Sequence, residues 1–136
     1  MIQRSYKPTK KALQFHASQA RFIVLVGGQG SGKSRALIEE LIQSGLDYPG
    51  YPMAVYRKTL PSLRDSTLHE YRGMVPNGIG QMKETSVQYE FNNGSFINFR
   101  GLDDPNKAKS TNYATIVMEE ANEFTYEDFT FLPVVS

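Results

Sequence analysis

The sequence contains no cysteine, which excludes a disulfide framework and any thiolate metal site and is compatible with a reducing compartment. It has no long apolar run either. The longest, Phe22 to Val26, is far too short to span a bilayer. The amino-terminal stretch MIQRSYKPTKK is basic but leads into no apolar signal core, so secretion is not expected. An excess of one charge is also missing: 15 Lys and Arg against 14 Asp and Glu leave a net +1, and global electrostatics do not announce a nucleic-acid binder. The local clusters at Lys7, Lys10 and Lys11 and at Lys107 and Lys109 read as solvated surface. No repeat, low-complexity tract or linker divides the 136 residues, so one domain is expected.

What is present is an alternation of short apolar runs and helical stripes. Thr9 to Gln19 reads as a helix with Ala12, Leu13 and Phe15 inward. Phe22 to Val26, closed by glycines, suits a strand buried on both faces, as in a parallel sheet. Lys33 to Ser44 carries the stripe Leu37, Ile38, Leu41 and Ile42, and Gly45 stands where a helix commonly ends. Met53 to Tyr56 is a second strand, and Leu60 to Val75 a third helix whose Leu63, Leu68 and Tyr71 fit one face only in part. Val87, Tyr89 and Phe91 alternate with polar residues before Asn93-Gly94, and Ile97 and Phe99 alternate after it. This predicts a β-hairpin whose central turn residues take positive φ. Ala114 to Met118 is a third buried strand, and Thr125, three residues before Asp128, suits the N-cap of a last helix. Strands alternating with helices indicate an α/β layer fold.

The chemistry starts between the first strand and the first long helix. Gly27, Gly32, Lys33 and Ser34 meet the pattern G-x-x-x-x-G-K-[ST] within GGQGSGKS. Glycines at 27, 28, 30 and 32 remove side chains that would keep the backbone from wrapping a phosphate. Successive N–H groups of Gly27, Gly28, Gln29, Gly30, Ser31 and Gly32 and the helix start at Lys33, Ser34 and Arg35 can then point at the anion. Lys33 supplies charge to the β- and γ-phosphates, and Ser34 Oγ is the expected magnesium ligand. ATP and Mg²⁺ are the cofactors this implies.

Such a loop needs a carboxylate at the end of a neighbouring strand. The stretch Thr115-Ile116-Val117-Met118 delivers two, Glu119 and Glu120, at the strand end where ligands of open α/β sheets gather. Glu119 is the candidate for the magnesium shell and Glu120 for the base or water-orienting group. Adjacent strand residues face opposite ways, so the two have different jobs. Asp103-Asp104 is a rival acidic pair, but Asn98 and Arg100 make the stretch before it look like a hairpin arm. A guanine-reading Asn-Lys-x-Asp is absent, since Asn106-Lys107-Ala108-Lys109 has the wrong fourth residue and precedes the acidic strand. A P-loop small-molecule kinase generally lacks the second glutamate, which favours an ATPase.

In order, the blocks GGQGSGKSR (27–35), YRKTLPSLRDST (56–67), NNGSFINFRGLDD (92–104), KAKS (107–110) and IVMEEANEFTYEDF (116–129) resemble the large terminase subunit, the ATPase motor that packages DNA into tailed-phage capsids. The phosphate loop is generic; the RKT…SLRDS and EEANEFT blocks are the specific part. The resemblance implies a P-loop NTPase of the RecA/ASCE-like kind, a mostly parallel sheet flanked by helices and carrying a β-hairpin. Residues 1–136 would be the N-terminal part of the ATPase domain, with a basic helical region at 1–20, no nuclease domain, and truncation at the C-terminus. It further implies an adenine contact from Gln14 and DNA-backbone contacts from Arg57 and Lys58. The implied partners are double-stranded DNA, the phage portal, the small terminase subunit and further copies of the chain in a ring. The implied location is the cytoplasm of an infected bacterial host, with no membrane.

Two departures stand out. Gln29 occupies a loop position where many terminases carry arginine, and the chain ends before the family's further catalytic strand, coupling motif and nuclease domain. In the related fold that strand lies between the loop strand and the acidic strand, so unpaired buried edges are expected, with weak or no turnover from the isolated chain. Two alternatives share the motifs: a helicase-like P-loop nucleic-acid translocase, and a non-catalytic nucleotide-binding module.

Overall fold

A computed structural model describes residues 21–26, 33–104 and 112–130 of the chain. The strands are β1 (Arg21–Leu25), β2 (Pro52–Arg57), β3 (Gly80–Lys83), β4 (Gln88–Phe91), β5 (Phe96–Gly101) and β6 (Thr115–Glu119). The helices are α1 (Lys33–Asp47), a second helical stretch here called α2 (60–74), and α3 (Tyr126–Thr130). Within α2, Leu60–Leu63 and His69–Met74 are α-helical, and Arg64–Leu68 is a π-helical turn. The six strands form one sheet in the order β1-β6-β2-β5-β4-β3. From β1 to β5 the neighbours are parallel, and β4 and β3 extend the sheet antiparallel.

Apolar residues on both sides of the central strands divide the core in two. Ile23, Leu25, Met53, Val55, Val117, Ile97 and Phe99 pack with the α1 stripe and with Leu63, Leu68 and Tyr71 of α2. Phe22, Ala54, Tyr56, Ile116 and Met118 form the opposite face with Leu102 and Tyr113. Strands buried on both faces explain the unbroken apolar runs in their sequences.

Several expectations need correction. β1 and β6 are hydrogen-bonded neighbours from Arg21↔Thr115 to Leu25↔Glu119, so these edges are not left unpaired. Buried backbone donors and acceptors cannot turn to water, and each strand supplies the other's partners. β5 is a hairpin arm and also a parallel neighbour of β2. Its polar Asn98 is tolerated because Nδ2 donates to Tyr113 Oη at 2.8 Å and Oδ1 accepts from Gln88 at 2.7 Å. In the hairpin turn Gly94 has φ +92°, whereas Asn93 does not share the positive φ. The Asn93 side chain bridges instead, accepting from Ser95 N and donating to Gly45 O. Strand β3 escapes sequence reading because its short polar stretch carries no apolar alternation. The helix predicted over residues 9–19 lies outside the described residues.

Gly45 does not end α1, which runs on to Asp47. It is buried because the Phe91 ring lies against it, and a Cβ there would stand 2.4 Å from Phe91 Cζ. Alanine is about 1 kcal/mol better than glycine inside an ordinary helix, but overpacking costs about 1–3 kcal/mol. Gly45→Ala is therefore expected to lower stability in urea unfolding; a gain would refute this packing.

Candidate nucleotide site

Because β1, β6 and β2 are parallel, their carboxyl ends meet at one edge of the sheet. Leu25, the last residue of β1, is in register with Glu119, the last of β6. β1 ends at that edge, and the chain re-enters the described residues at Lys33, the first residue of α1. Lys33 and Ser34 are half-buried in the first turn of this 15-residue helix, and Arg35 is exposed. Free N–H groups and the helix dipole favour an anion at such a start. Gln14 and Gly27, Gly28, Gln29, Gly30, Ser31 and Gly32 lie outside the described residues.

Glu119 is only 4 % exposed. Thr67 Oγ1 donates to its Oε2, and Ser66 Oγ lies 3.4 Å from Oε1. Arg57, at the end of β2, places Nη1 3.9 Å from Oε1. Burial pushes the Glu119 carboxyl up to about 7 from an ordinary 4.5; the Arg57 guanidinium opposes the shift, and Glu120 adds to it. Glu120 leaves the strand in the left-handed region, φ 54° and ψ 51°. This conformation costs a non-glycine residue on the order of 1–3 kcal/mol and clusters at functional sites. The turn takes the two carboxylates out of simple strand alternation while keeping them adjacent.

The residues alone foreshadow only part of this site. Arg57 is not an exposed strand end. It is 7 % exposed, with Nη1 donating to Ser66 Oγ at 2.8 Å and Nε 3.5 Å from Glu123 Oε1. A guanidinium turned into this carboxylate cluster is not offered to a DNA backbone. Lys58 is half-exposed and pairs with Asp128 at 2.6 Å. The rival Asp103 serves the fold, since its Oδ1 accepts from Leu60 N at 3.1 Å at the start of α2. Thr59, the N-cap of α2, accepts from Ser62 N, and Thr125 caps α3 as expected, accepting from Asp128 N at 3.2 Å. Ser66, Thr67 and Glu123 were missed. The five-residue spacing from Leu63 to Leu68, both buried, is the signal for the π-turn that presents the hydroxyls.

A family model described as phage terminase large subunit matches residues 19–134. The chain belongs to the phage terminase large subunit family. It is similar to the PBSX phage terminase large subunit of Bacillus subtilis (strain 168), 31% identical over 135 residues. That alignment covers 95% of this chain and 30% of that terminase. Among solved structures, the large terminase ATPase domain of Thermus phage P74-26 superposes with a TM-score of 0.61 at 16% identity, covering 96% of this chain and 60% of that one. An Arg-to-Ala mutant of the same domain gives 0.62 at 17% identity, with the same coverage. At this identity the structural likeness establishes the fold alone. The chain thus spans about a third of the PBSX terminase and three-fifths of the solved domain. Among the described residues no helix is long and apolar enough to cross a membrane.

The raised Glu119 carboxyl has a thermodynamic consequence. Between pH 4.5 and about 7 the folded state holds a proton that the unfolded state has released, so stability falls as pH rises through this window. Urea unfolding at pH 4.5 and 7.5 is expected to show this loss, up to about 3 kcal/mol, and Glu119→Gln should remove it. An unchanged slope in the variant would contradict the buried, desolvated carboxyl.

Proposed function

We propose that this chain supplies the nucleotide-binding part of the ATPase of a viral DNA-packaging motor. In that motor, hydrolysis of ATP drives double-stranded DNA into a procapsid. Family membership supports the reading, and one observation carries it: the end of the loop-bearing strand stands in register with a buried glutamate, Leu25 opposite Glu119. Residues 1–136 on this reading belong to the N-terminal part of the ATPase domain.

The residues fit magnesium and ATP. A carboxylate at the carboxyl end of β6, and a lysine and hydroxyl in the first turn of α1, the helix that follows β1, supply the two halves of a phosphate and cation site. The backbone of residues 27–32 would cradle the phosphates, with Lys33 countering their charge, and Ser34 and Glu119 would hold the cation. Magnesium, when bound, neutralises charge that develops on the phosphates. Glu120 would orient the attacking water and take its proton, with its position set by the left-handed turn after β6. Gln14 would face the adenine. Lys58, the half-exposed residue just after β2, remains the candidate DNA contact; its partner Asp128 would have to give way.

The working assembly is a ring of such chains with portal and small terminase subunit as partners, in the cytoplasm of the infected host. No feature of the described residues favours a helicase-like translocase or a non-catalytic module over this reading.

Lys33→Ala provides the test. Charge-assisted hydrogen bonds contribute about 1.5–3 kcal/mol, so calorimetric titration is expected to show Mg-ATP binding weakened about tenfold or more. Equal affinity for both proteins would overturn the assignment of the loop.

A further inference from the structure

The block from Arg57 to Thr67 has a role that DNA contact does not explain. In α2 the π-turn Arg64–Leu68 brings two consecutive hydroxyl residues to a single carboxylate: Thr67 to Glu119 Oε2 and Ser66 toward Oε1. Isolated π-turns are rare and occur frequently at functional sites. Thr67 is 1 % exposed, so its hydroxyl is committed to this contact. The start of α2 is anchored on the sheet by the Thr59 cap and the Asp103 bond to Leu60 N, which fixes where the π-turn falls.

We propose that this π-turn is a positioning element for Glu119, with Thr67 and Ser66 as positioning residues that aim the carboxylate at the cation. The inference rests on the reading of Glu119 as a cation-holding group. The donor chemistry argues for it. A carboxylate has about four acceptor sites, so the Thr67 hydroxyl leaves the remainder for a metal ion. Neutral hydroxyls orient the group without cancelling its charge, whereas a close guanidinium would compete with the cation. Arg57 is kept from doing so. Its Nη1 stands 3.9 Å from Glu119 and donates instead to Ser66 Oγ at 2.8 Å and Ser62 O at 3.4 Å. Ser66 Oγ donates its one proton to the nearer Ser62 O at 2.7 Å, so Arg57 and the helix backbone hold Ser66 beside Glu119 while Thr67 supplies the close donor.

The test follows fluorescent ATP-analogue binding to the full chain, without magnesium and across a magnesium titration. Hydrogen-bond partners of metal ligands typically contribute 10–100-fold in metal affinity. Thr67→Val should raise the half-saturating magnesium concentration about tenfold or more, leave magnesium-free nucleotide affinity within about twofold, and be rescued to within about threefold by Thr67→Ser. Ser66→Ala should shift the midpoint in the same direction. Circular dichroism checks folding; if Thr67→Val does not fold, Ser66→Ala decides. A magnesium midpoint equal to wild type in the folded variants, while Glu119→Gln shifts it, would overturn the positioning role and leave the nucleotide site standing. No effect of either Glu119→Gln or Lys33→Ala would instead remove the nucleotide site itself.

Discussion

A carboxylate buried at the end of a central strand constrains everything near it. Glu119 is among the few buried charged groups of the described residues, and an unpartnered ion there would be costly. The surroundings answer with the Thr67 hydroxyl, a more distant Ser66 and a loosely placed guanidinium, which hold the group without fully neutralising it. Its raised proton affinity records how incomplete that compensation is. A group kept short of charge compensation in this way is suited to receive a cation from outside the protein.

The rest of the fold delivers those donors. β2 must run parallel beside β6 for Arg57 to reach the same end as Glu119. α2 must begin close over β5, where Gly101 leaves room: a Cβ there would lie 2.2 Å from Leu60 N. The aromatic cluster of Tyr71, Tyr89 and Phe99 then seats the later part of α2 on the sheet. On the other side, β1 pairs directly with β6 and ends at the same edge. The antiparallel extension is farther away and acts on packing, with Phe91 closing against Gly45 of α1.

Much of this was legible in the residues because it depends on local patterns. Runs such as Phe22–Leu25 and Thr115–Met118 read as buried strands, since only a doubly covered strand needs apolar residues on both sides, whereas Val26, expected in the first run, lies past β1 and is exposed. The α1 stripe, the hairpin and the Thr125 cap followed from spacing alone. What was hidden depends on tertiary contact. Gly45 looks like a helix stop until Phe91 is seen against it. Arg57 looks like a surface cation because its partners lie 9 and 62 positions along the chain, at Ser66 and Glu119. The π-turn was visible only as a poor fit of Leu63, Leu68 and Tyr71 to an α-helical face. Glu120's left-handed backbone left no mark in its residue type.

The chain belongs to the terminase large subunit family, and the central claim concerns where the nucleotide and its cation sit. A crystal structure of the chain with magnesium and a non-hydrolysable ATP analogue tests it most directly. The account predicts phosphates wrapped by residues 27–32, with the ion between Ser34 Oγ and the Glu119 carboxylate. Nucleotide bound elsewhere, or an ion held without either residue, would contradict it.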